Sequence, residues 1–350
     1  MREKLKIAIV GCGAVAYRWY FRGLQQSEYC EIAALVDIDS NRLKKAAEYC
    51  SVNRCYSSIM ELCEAREDID IVVLLTPHKV HYSQIKYLLE NDLNVYSEKP
   101  CCETYAEALE LLELAKEKKK FFCSAPQVML SSRNKMVKEY IDKGIIGDIV
   151  MVRASGSNMG PAYRADTDYD PEWFYNDGGS MSSLGIYTLA IVIFLFGMPK
   201  RVAGFSGISM PSRIVKYGPA KGKKFSVNAP DNEVALLDYG NNYILFDGSY
   251  VVWPPQKDEL VIHGTAGTLY VGGFGGLESI RLINEKGSKY IGPEDDCHVN
   301  WNLSWGIDEM AKAIICGTKP LTDATFAAKT IKVLEAIRRS SKSDKTIELE

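Results

Sequence analysis

The chain has 350 residues, with 42 Lys and Arg against 45 Asp and Glu, a formal net charge of −3. Hydrophobic residues make up 47% and charged residues 25%. That balance excludes a disordered chain and leaves no electrostatic footprint for nucleic acid. At about 100–200 residues per domain, the length implies two domains.

Near the N-terminus the apolar run Ile7–Val10 is too short for a secretory h-region and leads straight into a glycine turn. The most apolar stretch, Leu184–Phe196, falls short of the ~20 residues of a membrane span, so no membrane partner is expected. The ten cysteines include no CxxC pair. A chain this long is no disulfide scaffold, so they read as free thiols of a cytoplasmic protein. The histidines His78, His81, His263 and His298 do not pair with cysteines at ligand spacing, and no metal site is expected.

Over the first 125 residues strand and helix patterns alternate. Lys6–Val10 reads as a strand, and a helical stretch runs to about Ser27. Glu31–Val36 is a second strand, and a helix begins near Ser40 with Asp39 or Ser40 as its cap. Ile69–Leu75 is a continuous apolar strand, of the kind buried on both faces of a parallel sheet. His81–Asn91 (helix), Leu93–Tyr96 (strand), Tyr105–Lys119 (helix) and Lys120–Ser124 (strand) complete the alternation. It predicts an α/β domain with a doubly wound parallel sheet over residues 1–125.

Past Pro126 the pattern changes. A helix over Ser131–Lys143 precedes strand-like segments at Ile149–Ser155, Arg201–Ile208, Glu233–Tyr239, Tyr243–Ser249, Glu259–Gly264 and Gly267–Val271. Consecutive strands predict an α+β domain with a large open antiparallel sheet over residues 126–350. Lys216–Lys224 and Val271–Gly276 read as loops. Two helices close the chain, near 303–316 and 323–341, and the last is expected to pack back on the first domain.

Gly11-Cys12-Gly13-Ala14-Val15-Ala16 is a G-x-G-x-x-A turn between strand and helix. The first glycine permits the tight turn, and the second lets backbone approach a pyrophosphate. Ala16 allows close helix packing, and the helix N-terminus faces the phosphate charge. The second strand ends in Val36-Asp37. A carboxylate there accepts hydrogen bonds from ribose hydroxyls and repels a 2′-phosphate, which favours NAD over NADP. Asp37 also suits a helix-leading cap, as do Asp39 and Ser40.

Three further segments follow: Thr76-Pro77-His78-Lys79-Val80-His81, Glu98-Lys99-Pro100, and Asp177-Gly-Gly-Ser-Met-Ser-Ser-Leu-Gly-Ile-Tyr187. With the glycine turn they resemble the glucose–fructose oxidoreductase / inositol dehydrogenase (Gfo/Idh/MocA) family, over about Lys4 to Leu349. The resemblance implies a Rossmann domain, a second domain whose open sheet builds homodimers or homotetramers, and hydride transfer between nicotinamide and a sugar or polyol carbon. It places Thr76, Pro77 and His81 beside the nicotinamide and makes Glu98 a ribose ligand or a partner of Lys99. A capping or packing role suits His81 as well.

Lys99 ends a strand at the carboxyl edge of the sheet, where its ammonium can stabilise a developing alkoxide. Tyr187 falls at the family's catalytic His/Tyr position. A nearby cation lowers a phenol pKa from about 10 towards working pH, which suits proton transfer. A packed aromatic is the other reading of Tyr187. The chain departs from the family at Ser183, where an Asp usually stands four residues before the acid–base residue, and at His78, where Asn is common. Gln127 and Trp173 are substrate or nicotinamide candidates, or else structural. The pair Cys101-Cys102 reads as packing rather than nucleophile. Ser183 leaves two alternatives open: a non-catalytic NAD or sugar sensor on this scaffold, or an NAD-dependent glycosidase working by transient oxidation.

Overall fold

The structure is a computed structural model that describes residues 4–65, 68–253, 258–272, 280–292 and 302–349. In chain order the strands and helices begin with β1 (Leu5–Val10), α1 (Phe21–Gln25), β2 (Cys30–Val36), α2 (Ser40–Cys50), β3 (Cys55–Tyr56) and α3 (Ile59–Glu64). They continue with β4 (Ile71–Leu74), α4 (His81–Glu90), β5 (Asn94–Ser97), α5 (Tyr105–Glu117), β6 (Phe122–Ser124) and α6 (Ser132–Asp142). Next come β7 (Ile149–Ser155), α7 (Ile186–Phe196), β8 (Arg201–Gly207), β9 (Ser212–Ile214), β10 (Lys224–Ser226), β11 (Asn232–Asp238) and β12 (Tyr243–Ser249). The last are β13 (Asp258–Gly264), β14 (Gly267–Gly272), β15 (Ile280–Asn284), β16 (Gly287–Ile291), α8 (Trp305–Cys316), α9 (Ala324–Ser343) and β17 (Ile347–Glu348).

The described residues up to Leu130, with those from 302 to Ile331, form one compact unit; those from Ser131 to 292, with Lys332 onward, form another. The first unit carries a six-stranded parallel sheet in the order β3-β2-β1-β4-β5-β6. This order reverses at β1, and a doubly wound sheet binds ligands beyond the carboxyl ends of its strands at such a point. Ile7–Val10 of β1 and the whole of β4 are apolar and buried on both faces, as central parallel strands must be. One face packs Ile7, Ile9 and Val73 against Tyr20, Phe21 and Ile307; the other packs Ala8, Val72 and Leu74 against Ile85, Leu111 and Ala328.

The second unit holds a nine-stranded sheet, β16-β15-β14-β13-β7-β12-β11-β8-β17, and a separate two-stranded ribbon, β10-β9. Its neighbours are antiparallel, save that β7 and β12 run parallel. The alternation in β11 and β12 buries Ala235, Leu237, Ile244 and Phe246 and leaves Val234, Leu236, Tyr243 and Leu245 exposed. Where the helical layer meets the sheet, bare backbone does the packing. A Cβ on Gly156 would lie 2.8 Å from the Cα of Gly185, and one on Gly185 would lie 3.1 Å from the Cα of Gly248.

Two short elements of the first unit, β3 and α3, have no counterpart in the expected pattern. Lys224 opens β10 rather than closing a loop, and Val271 and Gly272 end β14. The Gly273–Gly276 part of that expected loop lies outside the described residues, as do Cys297 and His298. No helix among the described residues is long and apolar enough to cross a membrane.

Candidate active site

The carboxyl edge of the parallel sheet gathers the glycine turn, Asp37, the Thr76 loop and the Glu98-Lys99 pair. Gly11 has φ +96°, and a Cβ there would stand 2.8 Å from the carbonyl carbon of Leu75. Only glycine meets both demands. A Cβ on Gly13 would meet nothing within 4 Å, so the second glycine leaves open backbone where a pyrophosphate approaches. Ala14 and Val15 begin the helical stretch, which passes through a π-helical turn (Ala16–Tyr20) before α1. Ala16 is fully buried, its N–H donating to the Gly13 carbonyl at 3.0 Å.

Asp37 does not cap α2. That is done by Asp39, which accepts from the N–H groups of Asn41 and Arg42. Asp37 accepts instead from the N–H of Cys12 (2.7 Å) on one oxygen and that of Asp39 (2.8 Å) on the other. The carboxylate thus ties the glycine turn to the end of β2, and each oxygen keeps a lone pair for a hydroxyl. These residues fit the pyrophosphate and adenosine ribose of a dinucleotide. Burial, with Asp37 adding to it, pushes the Cys12 thiol up to about 12, so this cysteine is no nucleophile.

Thr76 and His81 form a second tie. The His81 ring is 1% exposed. Its Nε2 lies 2.8 Å from the Thr76 carbonyl and its Nδ1 2.8 Å from the Pro100 carbonyl. It braces the loops after β4 and β5. Burial lowers its pKa against the two carbonyls and Glu98, which favour the cation. Thr76 Oγ1 donates to Gln84 Oε1 at 2.6 Å, while Pro77 is exposed. His78 approaches Glu103 at 4.0 Å.

Glu98 is buried. It accepts from the Tyr20 hydroxyl at 2.6 Å and from the Lys99 N–H at 2.9 Å. Half-buried Lys99 has its pKa lowered by burial, with Glu98 opposing the shift. An ammonium so placed is a stronger proton donor than one in water. Cys101 and Cys102 are buried with sulfurs 4.0 Å apart, and the Cys102 pKa is driven up, as expected of packing thiols. Gln127 is also buried, its amide nitrogen donating to the Leu303 carbonyl at 3.0 Å.

In the second unit Tyr187 stands in the first turn of α7, 9% exposed. Two π-helical turns precede it, Phe174–Gly178 and Met181–Gly185. Such turns are uncommon and recur at functional sites. Ser183 hydrogen-bonds the buried Tyr250 phenol, whose pKa burial drives upward. Trp173 is 40% exposed, its ring 3.9 Å from that of Phe174. Among the described residues no group of three or more His, Cys, Asp or Glu could hold a metal ion.

Sequence reasoning missed Tyr20, Tyr250 and two buried acids near Tyr187, Glu233 and Glu259. The signal for Glu233 was present, because it shares the inward phase of β11 with Ala235 and Leu237, where an unpaired carboxylate is not tolerated. Glu259 stands in the phase opposite to the buried Leu260 and Ile262 of β13, so its burial has no periodic signature.

Topology, turn and acid together define an oxidoreductase class built on an NAD-binding Rossmann fold. The oxidoreductase family model with NAD-binding Rossmann fold, GFO_IDH_MocA, matches residues 5–125, and the GFO/IDH/MocA C-terminal domain matches residues 134–270. The chain belongs to the Gfo/Idh/MocA family. It is 28% identical over 202 residues to the dTDP-3,4-didehydro-2,6-dideoxy-α-D-glucose 3-reductase of Streptomyces violaceoruber, spanning 57% of each chain. It is 23% identical to the scyllo-inositol 2-dehydrogenase (NADP(+)) of Bacillus subtilis, over 99% of this chain and 97% of that one. Among solved structures, the WlbA dehydrogenase of Bordetella pertussis, in complex with NADH and UDP-GlcNAcA, has TM-score 0.81 and 21% identity, covering 99% of each chain.

Proposed function

We propose that this chain is an NAD-dependent oxidoreductase that transfers a hydride between nicotinamide and a carbon of a sugar, sugar derivative or polyol. The observation that carries the reading is the single sheet edge on which the open Gly13 backbone, the doubly tied Asp37 and the partly desolvated Lys99 all stand. The first unit, which takes residues up to Leu130 and 302–331 rather than 1–125 alone, is the cofactor domain, and the second supplies substrate contacts and subunit contacts. The bound nicotinamide supplies the hydride acceptor or donor. Asp37 accepts from the adenosine ribose hydroxyls and repels a 2′-phosphate, which selects NAD over NADP. Thr76 and Pro77 border the nicotinamide, and His81 holds their loop. Lys99 hydrogen-bonds the reacting hydroxyl and stabilises its developing negative charge. Tyr187 takes the hydroxyl proton in oxidation and returns it in reduction.

The relatives named above act on a dTDP-sugar and on an inositol, and they set the substrate class to search. The purified chain, incubated with NAD+ and a panel of hexoses, inositols and nucleotide sugars, produces absorbance at 340 nm with at least one of them. Tight NAD binding with no turnover on any member favours the sensor reading. That alternative draws on one observation: the family's usual charged group is replaced here by a neutral Ser183–Tyr250 pair.

The exposed sheet face of the second unit carries Phe205 (72% exposed), Val234, Leu236, Tyr243 and Leu245. In register, Leu236 lies between Ala203 and Leu245, so these side chains form one continuous apolar strip. Such a strip is the mark of a protein interface, and we assign it to pairing between copies of this chain. The nine described cysteines are all free, which suits the reducing cytoplasm.

A further inference from the structure

Two carboxylates lie deep in the second unit. Glu233 is fully buried and Glu259 is 3% exposed. Taking a carboxylate out of water costs several kcal/mol unless charge and hydrogen bonds repay it. Both acids are repaid, and both networks end on the segment that carries Tyr187.

Upstream, Glu233 Oε2 accepts from the Met181 N–H at 3.1 Å. Its Oε1 accepts from the Ser206 hydroxyl at 3.1 Å and from Arg338 Nε at 3.4 Å. Arg338 Nη2 then donates to the Ser182 hydroxyl at 2.8 Å and to the Gly178 carbonyl at 3.5 Å. Downstream, the Thr188 hydroxyl donates to Glu259 Oε1 at 2.7 Å, and Arg133 Nη2 donates to Glu259 Oε2 at 3.0 Å. Arg133 is itself fixed, donating through Nη1 to the Gly272 carbonyl at 2.6 Å.

Between the two anchors lies the π-helical turn Met181–Gly185. A π-turn carries one residue more than the α-helix around it. Relaxing it to α-helix rotates everything beyond by about 100° relative to what precedes. Anchors at Met181–Ser182 and at Thr188 oppose that rotation from both ends, and Tyr187 sits between them.

We propose that Glu233 with Arg338, and Glu259 with Arg133 through Thr188, are positioning residues that hold the π-turn and thereby aim the Tyr187 phenol. The proposal rests on the reading of Tyr187 as the acid–base residue. Apolar residues of equal size would hold the fold as well as a buried ion pair. Direction, which only hydrogen-bonded charge supplies, is what these pairs add.

The test uses the full chain with NAD+ and whichever panel substrate turns over fastest. It is read beside the Cζ line of Tyr187 in protein labelled with 13C-tyrosine, a signal identified by its loss in Tyr187→Phe. Thr188→Val lowers kcat at least tenfold with KM changed less than threefold, and moves or splits the Tyr187 line. Thr188→Ser, which keeps the hydroxyl, restores both. Glu233→Gln gives the same kcat loss from the other side; should it fail to fold, the Thr188 pair decides. A folded Thr188→Val with wild-type kcat and an unmoved Tyr187 line overturns the proposal. Full turnover by Tyr187→Phe overturns the acid–base reading instead, and the position of the line then decides by itself whether the anchors orient the ring.

Discussion

Asp37, His81 and Lys99 each do a job visible at the scale of one side chain. Asp37 spends one lone pair on each of two backbone N–H groups, so its removal loosens the glycine turn as well as the proposed ribose contact. Asp37→Ser narrows the preference for NAD over NADP about tenfold, measured as the ratio of kcat/KM with the two cofactors; a mutant as selective as wild type rejects the assignment. Burial holds His81 below its unfolded pKa of about 6.5. The folded state therefore binds fewer protons, and the stability this residue supplies is present above about pH 6.5 and lost as pH falls below it. His81→Gln costs about 1–2 kcal/mol at pH 7.5, and thermal melts show the gap to wild type closing towards pH 5.5. A gap that widens on acidification contradicts this. For Lys99 the lowered pKa places the loss of its proton below the ordinary lysine value. Turnover falls on the alkaline side in wild type, and Lys99→Arg, which stays charged, moves that fall upward at reduced kcat. At this scale the sequence was most readable where partners are close along the chain, as in Gly11–Ala16 and the Asp39 cap. It was silent where they are distant: Tyr20 meets Glu98 across 78 positions, and Arg338 meets Glu233 across 105.

At the scale of elements, long apolar periodic segments were legible and short ones were not. β1, β2, β4 and α2 fall within a residue or two of the pattern, because burial of a whole face leaves a signature. β3 is two residues long, and its pairing with β2 comes from the sheet edge rather than from its own sequence. α3 has a readable start, since Ser58 caps it by accepting from the N–H of Glu61, three residues on. The π-turns before Tyr187 leave no trace in a pattern read at the α-helical period. The close approach of Gly185 to Gly156 gives an element-scale test. Gly156→Ala forces the Tyr187 segment off the sheet and destabilises the protein by about 1–3 kcal/mol, as read by denaturant unfolding. An unchanged midpoint refutes the packing role.

For the whole molecule, the division into a parallel sheet and a mainly antiparallel one followed from the switch between alternating and consecutive patterns near residue 126, whereas the strand order and the separate β10-β9 ribbon left no such trace. The parallel pairing of β7 with β12 left none either, because nothing in either strand distinguishes the two directions. The proposed pairing of copies through the apolar strip on the exposed sheet face is tested at this scale. Sedimentation at micromolar concentration shows the wild type as a dimer or larger, and Leu236→Lys as a monomer; a monomeric wild type removes the assignment. The central claim joins cofactor, Lys99 and Tyr187 in one reaction, and absorbance at 340 nm tests it most directly. Wild type and Lys99→Met are each mixed with NAD+ and the sugar and polyol panel, with NADH binding followed by fluorescence in parallel. The account predicts NADH formation by wild type only, with both proteins binding NADH within about threefold of each other. Undiminished turnover by Lys99→Met, or a wild type that binds neither NAD+ nor NADH, contradicts it.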